Sequence, residues 1–276
     1  MRTIKTSEIT AKVKKACYDA CHVLNEHTLN NLIKCQENET NKLGKEILSQ
    51  IIKNDNLAKN ESIPMCQDTG IVVCFLEVGY QCVFDGNPNE AINEGVRQAY
   101  NDYYLRKSVA DSITRINTKD NTPAIIHTKF VDGDKVKITI APKGAGSENM
   151  SRLKMLNPTD GIEGIKDFVL ETIKIADGRP CPPMVVGVGI GGNFEKSALL
   201  AKEALLRETP NKDLELANLE KELKTEINKL NIGPMGLGGD TTCLDVFIEK
   251  HPCHIASLPV SVNIQCHANR HVEVIL

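Results

Sequence analysis

Three prolines fence a single cysteine in the run Arg179-Pro180-Cys181-Pro182-Pro183. Proline fixes φ and has no N–H for a helix or a sheet ladder, so Cys181 lies outside any helix and outside any central strand. Its backbone is set and its thiol is aimed, which reads as a ligand rather than as core filling. The run also separates two regular elements. Upstream, Thr159 or Asp160 caps a helix reaching residue 176, with Ile162, Ile165, Val169 and Ile173 on its inner face. Downstream, Met184 to Gly192 reads as a strand followed by a glycine turn.

Two more cysteines stand at comparable junctions. Pro64-Met65-Cys66-Gln67-Asp68-Thr69-Gly70 sets a thiol, an amide, a carboxylate and a hydroxyl side by side, and the apolar run Ile71 to Leu76 follows it as a buried strand. Cys266 comes at the end of a strand from His254 to Gln265 and is followed by His267-Ala268-Asn269-Arg270. The chain has ten cysteines, yet Met1 to Ser7 lacks the apolar core of a secretion signal, so free thiols or metal ligands are expected rather than disulfides. There is no CxxC pair, which removes zinc ribbons and thioredoxin motifs. Cys17 and Cys21, four apart on an amphipathic helix over residues 6 to 27, read as core filling.

The rest of the pattern is mixed. A second helix runs along Leu43, Ile47, Leu48, Ile51 and Ile52, so that residues 1 to 60 form a helical lead-in to a single domain covering 1 to 276. A helix from Asn89 to Arg106 ends in Arg106 and Lys107, cations that complement its dipole or face a dianionic ligand. Ala124 to Val131 and Lys135 to Ile140 read as two strands joined into a hairpin by Asp132-Gly133-Asp134. The loop Pro142 to Asn149 is rich in backbone N–H donors and carries Lys143, which suits an oxyanion. Gly187, Gly189 and Gly192 spell GxGxxG, the fingerprint of a nucleotide-binding oxidoreductase. That fingerprint needs a second strand ending in an acidic residue, and the chain opens another helix along Leu216, Leu219, Leu223 and Ile227 instead. The expected class is α+β, with strands and interspersed helices behind a face that binds a cofactor.

Composition narrows the partners. A net charge of −3 and a pI of about 6.2 argue against nucleic acid and anionic membranes. Trp is absent and aromatics are 4%, so base-stacking platforms are poorly supplied. No run is apolar enough to span a bilayer, and a cytoplasmic location is the expectation.

Three loop thiolates, Cys66, Cys181 and Cys266, suit an iron–sulfur cluster that leaves one iron without a protein ligand. Five segments in order then add a resemblance: Pro64 to Gly70, Lys143 to Asn149, Arg179 to Pro183, Gly187 to Gly192, and His254-Ile255-Ala256-Ser257-Leu258-Pro259-Val260 on to Cys266. Together they are similar to the iron–sulfur-dependent class I fumarate hydratase and L(+)-tartrate dehydratase family, over about Ser7 to Arg270. The chain looks like the separate α subunit, equivalent to the N-terminal part of the fused enzymes. The resemblance implies a 4Fe-4S cluster on Cys66, Cys181 and Cys266. It implies substrate contacts from Gln67, Asp68, Arg106, the Gly144 to Gly146 loop and His254, with Asp68 and His254 as the catalytic pair. It implies reversible hydration of fumarate to malate, with tartrate dehydration as the alternative, and an oligomer in which a β subunit completes the active site. Cys243 competes for the third ligand position, but the segment from His254 to Cys266 matches the family better.

Overall fold

The computed structural model describes all 276 residues, and the chain packs as two compact units. The first unit comprises Met1–Leu24, Asp55–Ala145 and Arg270–Leu276, and the second comprises Asn25–Asn54 and Gly146–Asn269. In chain order the elements are β1 (Arg2–Ile4), α1 (Thr6–His22), α2 (Glu26–Asn38), α3 (Lys42–Glu61), β2 (Ile71–Gly79), β3 (Cys82–Phe84), α4 (Pro88–Asp102), β4 (Ile125–Val131), β5 (Val136–Lys143), the single turn α5 (Ala145–Glu148), β6 (Arg152–Leu156), α6 (Gly161–Ala176), β7 (Met184–Gly191), α7 (Phe194–Ala204), α8 (Leu214–Asn228), β8 (Cys243–His251), β9 (Leu258–Gln265) and β10 (Val272–Ile275). The α+β class read from the sequence is the one the chain adopts. The helical lead-in is shared out: α1 packs in the first unit and α2 in the second.

In the first unit the sheet order is β10-β5-β2-β4. The run Ile71 to Leu76 is buried along nearly its whole length because β2 is interior, pairing antiparallel with β5 and parallel with β4. Alternate residues Val72, Cys74, Leu76 and Val78 face a core shared with Ile9, Val13 and Cys17 of α1 and Ile92, Val96 and Tyr100 of α4. The hairpin expected between β4 and β5 does not form. The two strands lie on opposite sides of β2, and the turn between them closes over its end: Gly79 N–H donates to the Lys135 carbonyl at 2.9 Å, and Gln81 N–H to that of Gly133 at 3.0 Å. The uniformly apolar β2 takes the interior place, while β4, with exposed Phe130 and Ile125, takes an edge. Helix α4 stops at Asp102, so Arg106 and Lys107 lie in the loop beyond it rather than in its last turn.

In the second unit the order is β6-β9-β7-β8. Along β7, Val186 and Val188 join a core with Phe168, Val169 and Ile173 of α6 and Leu219, Leu223 and Ile227 of α8. Gly187 and Gly189 alternate with them and face α7. A Cβ on Gly187 would stand 2.1 Å from the Ala201 carbonyl oxygen, and one on Gly189 would stand 2.0 Å from that of Ser197. Two of the three glycines in the GxGxxG run therefore let a helix lie directly on a strand. The chain returns through α7 and α8 to β8, parallel beside β7, with no strand in between. The oxidoreductase reading loses its geometry here, because the glycines serve packing.

Candidate active site

The Cys66 loop of the first unit is fixed by buried polar side chains. Tyr100, fully buried, donates its hydroxyl to the carbonyls of Thr69 at 2.6 Å and Gly70 at 3.2 Å. Asn121, also fully buried, donates from Nδ2 to the Gly70 carbonyl at 3.1 Å and accepts the N–H groups of Ser108 and Val109 on Oδ1. The buried Arg270 guanidinium donates to the carbonyl oxygens of Asp68 and Pro142. Thr69 donates its hydroxyl to the Arg106 carbonyl at 2.9 Å, which seats Arg106 beside the loop with its side chain exposed.

The loop in turn organises its own chemistry. The Asp68 carboxylate accepts the Gly70 N–H at 3.0 Å on Oδ1 and the Ala145 N–H at 2.9 Å on Oδ2. The Asp68 N–H donates to the Cys66 sulfur at 3.4 Å. Cys66 is half-buried and Gln67 exposed. Cys66, Gln67, Asp68, Arg106 and Gly144 are thus one neighbourhood in the first unit. The glycine segment differs from the open loop expected. Ala145–Glu148 forms one helical turn, the Ala145 amide is used by Asp68, and Ser147 is buried with its hydroxyl on Gln265 Oε1 at 3.2 Å. Gly146 remains exposed in the second unit.

The Cys181 loop of the second unit is fixed by backbone and close packing. Cys181 is half-buried at φ 58°, in the left-handed region that costs a side chain about 1–2 kcal/mol. Its N–H donates to the Gly178 carbonyl at 3.2 Å, and its own carbonyl accepts the His267 N–H at 3.4 Å. That second bond brings the Cys181 and Cys266 segments together at one end of the sheet, where Val185 of β7 pairs with Gln265 of β9. Non-glycine residues held at positive φ concentrate where a site dictates the backbone, and Cys181 fits that pattern.

His254 is not with them. It is exposed in the turn before β9, with Nδ1 accepting the Ala256 N–H at 3.1 Å, while Cys266 follows the last residue of that strand. Eight extended residues put roughly 25 Å between the strand's two ends. His254 and Cys266 thus stand at opposite ends of β9. His254 instead lines an apolar cavity of about 420 Å³ with Ile162, Ile190, Leu216 and Leu258.

Of the seven other cysteines, four are core residues. Cys17, Cys21, Cys74 and Cys243 are fully buried, and burial pushes their thiols up: Cys21 to about 11, Cys74 to about 12, Cys17 and Cys243 well above the ordinary range. Protonated and enclosed, they are core side chains. Cys243, the competing third ligand, donates to the Asp245 carbonyl at 3.2 Å from inside β8. No three His, Cys, Asp or Glu side chains are grouped as ligands of a single ion. Cys66 in the first unit, and Cys181 and Cys266 in the second, are each half-buried, unlike these enclosed thiols. Tyr100, Asn121 and Arg270 were not legible as site residues; only the place of Tyr100 one turn after Val96 on an apolar stripe hinted at burial.

Polar loops at strand ends, with strained backbone and cysteines held half-open, are the layout of an enzyme. The family model described as Fumarate hydratase (Fumerase) matches residues 10–275, and the chain belongs to that family. It is similar to a Methanocaldococcus jannaschii protein named "Putative L(+)-tartrate dehydratase subunit alpha", 46% identical over 97% of this chain and 96% of that protein. It is also similar to the L(+)-tartrate dehydratase subunit alpha of Escherichia coli strain UTI89, 32% identical over 89% of this chain and 83% of the relative. That of strain K12 is 31% identical over the same shares. No helix is long and apolar enough to cross a membrane.

Proposed function

We propose that this chain is the α subunit of an iron–sulfur hydro-lyase that dehydrates L(+)-tartrate to oxaloacetate. The observation that carries the substrate is the full-length similarity to proteins named for tartrate dehydration. It reverses the order of the two substrates read from the motifs, where fumarate came first. The family description, which names fumarate hydratase, keeps fumarate as the second reading.

The reaction removes a C–H proton next to one carboxylate and hydroxide from the adjoining carbon. With a proton the hydroxide leaves as water, and the remaining enol becomes oxaloacetate. Cys66, Cys181 and Cys266 would hold a 4Fe-4S cluster, which when bound supplies a Lewis acid for substrate oxygens. The chain's own groups do the rest. Arg106, solvent-facing beside the Cys66 loop, pairs bidentately with a substrate carboxylate. Gln67 hydrogen-bonds a substrate oxygen. Gly144 lies against the Asp68 carboxylate, and exposed Gly146 offers its backbone to substrate. Asp68 is held by two backbone amides, which fixes its carboxylate in place; there it is positioned to accept the proton while also anchoring the loop. A separate β subunit would supply the remaining cations and the proton donor, since Arg106 alone cannot neutralise two carboxylates.

The test is anaerobic purification of the chain with its second subunit, followed by iron and sulfide analysis and steady-state assays on both substrates. Four irons and four sulfides per α chain, with kcat/KM for L(+)-tartrate about tenfold or more above that for fumarate or malate, is the expected result. The reverse preference installs the fumarate reading. Iron retained in full by Cys66→Ser, Cys181→Ser and Cys266→Ser rejects the ligand set.

A further inference from the structure

Glu39, the residue that ends α2, is a carboxylate only 4% exposed, and its side chain makes no ion pair. Its oxygens accept three backbone amides, and the Asp240 side chain also lies against it. Oε1 accepts the N–H of Asp240 at 2.8 Å and of Asn41 at 3.1 Å, and Oε2 accepts the N–H of Thr241 at 2.9 Å. Burying a carboxylate is costly unless such donors replace its water, so these bonds hold residues 240 and 241 firmly on Glu39. Thr40 reinforces the same point, donating its N–H and hydroxyl to Asp240 Oδ2.

The segment clamped in this way is also the seat of the Cys181 loop. Gly233 N–H donates to Thr242 Oγ1 at 3.1 Å, and Gly238 N–H to the Ile232 carbonyl at 2.8 Å, so residues 232 to 242 close on themselves. From that closed loop, Met235 N–H donates to the Pro182 carbonyl at 2.8 Å, and the Thr242 carbonyl accepts the Met184 N–H at 2.8 Å. Gly236 lies against Gly178 so closely that a Cβ on Gly178 would stand 2.9 Å from the Gly236 Cα. Residues 178, 182 and 184 are therefore all set by the loop that Glu39 holds, and Cys181 lies between them.

We propose that Glu39 is a positioning residue for Cys181, acting through the Gly233 to Thr242 loop. The proposal rests on the reading of Cys181 as a cluster ligand only for its consequence; the positioning itself is a property of the iron-free chain. Its basis is a carboxylate, not bulk, so Glu39→Gln is the informative variant: the new NH2 must face at least one amide donor that the carboxylate now accepts. Glu220 is the control: a similarly buried carboxylate of the same unit that accepts the N–H groups of Asn211 and Ile248 and pairs with Arg207, away from Cys181.

The experiment is hydrogen exchange on the iron-free chain, read at the amides of Met184, Met235 and His267, for wild type, Glu39→Gln and Glu220→Gln. The expected result is exchange roughly tenfold faster at those three amides in Glu39→Gln. Glu220→Gln should leave them within about twofold of wild type even where its urea midpoint falls as far. Wild-type exchange at the three amides in Glu39→Gln, or equal acceleration in Glu220→Gln, overturns the proposal. Glu39→Asp, whose shorter carboxylate reaches fewer amides, gives an intermediate increase and serves if Glu39→Gln does not fold. A second readout is release of iron to a chelator from the reconstituted protein, expected to be about tenfold faster in Glu39→Gln than in Glu220→Gln. A wild-type chain that takes up no iron refutes the ligand reading while the exchange data still decide the role of Glu39.

Discussion

The loops that present Cys66 and Cys181 do the same task by opposite means. Around Cys66 the backbone carbonyls of Asp68, Thr69 and Gly70 are each gripped by a buried side chain from elsewhere in the first unit: Arg270, Tyr100 and Asn121. Around Cys181 the grip is steric and main-chain. Buried prolines, the Gly178–Gly236 contact and the Met235-to-Pro182 hydrogen bond fix a left-handed residue. The first loop is specified by chemistry at a distance, and the second by shape close by. Polar grips carry a large penalty when one partner is lost, because the other is left buried and unsatisfied; steric grips fail by crowding.

The largest expected effect tests the polar grip. Arg270→Leu removes a buried guanidinium from the Asp68 and Pro142 carbonyls and should cost about 3 kcal/mol of unfolding free energy, measured by urea denaturation of the iron-free chain. Tyr100→Phe keeps the ring and loses only the hydroxyl, and should cost about 1–2 kcal/mol. If both variants fall within about 0.5 kcal/mol of wild type, the first loop is not held by these side chains and the contrast dissolves.

The steric grip is tested by Gly178→Ala, whose added methyl collides with the Gly236 backbone and should cost roughly 1–3 kcal/mol. The companion Gly146→Ala, where the nearest atom to a Cβ is 3.8 Å away, should be nearly silent. Equal costs at the two positions would show that the close contact with Gly236 is not what Gly178→Ala disturbs.

The same contrast explains what could be read before the structure was known. Local signals were legible: the prolines around Cys181, the apolar run of β2, the amphipathic faces of α1, α6 and α8, and the order of the family motifs. Partners brought in by tertiary packing were not. Nothing in the composition of Asn121-Thr122-Pro123 marks Asn121 as the donor to a carbonyl at Gly70. The hairpin reading of residues 125 to 143 failed because turn chemistry reports local reversal, whereas burial decides which strand takes the interior place. His254 was placed by motif similarity, and only the length of β9 shows that it stands at the far end of the strand from Cys266. Both cysteine loops were therefore readable from local sequence, and the remote polar groups that hold the first of them were not.

The smallest effect concerns the strain at Cys181 and carries a sign. A side chain at φ 58° is disfavoured by about 1–2 kcal/mol, whereas glycine adopts that backbone freely at an entropic cost of about 0.5–1 kcal/mol. Comparing Cys181→Gly with Cys181→Ala isolates the backbone, since both lose the thiol. The glycine variant should be the more stable by up to about 1 kcal/mol in the iron-free chain. Cys66 has no positive φ, so at that position the order reverses and Cys66→Ala should be the more stable by about 0.5–1 kcal/mol. Urea midpoints of the four variants decide it. Alanine winning at both positions would show that the Cys181 loop relaxes out of the left-handed region once its thiol is gone. The strain would then belong to the cysteine rather than to the prolines and glycines around it.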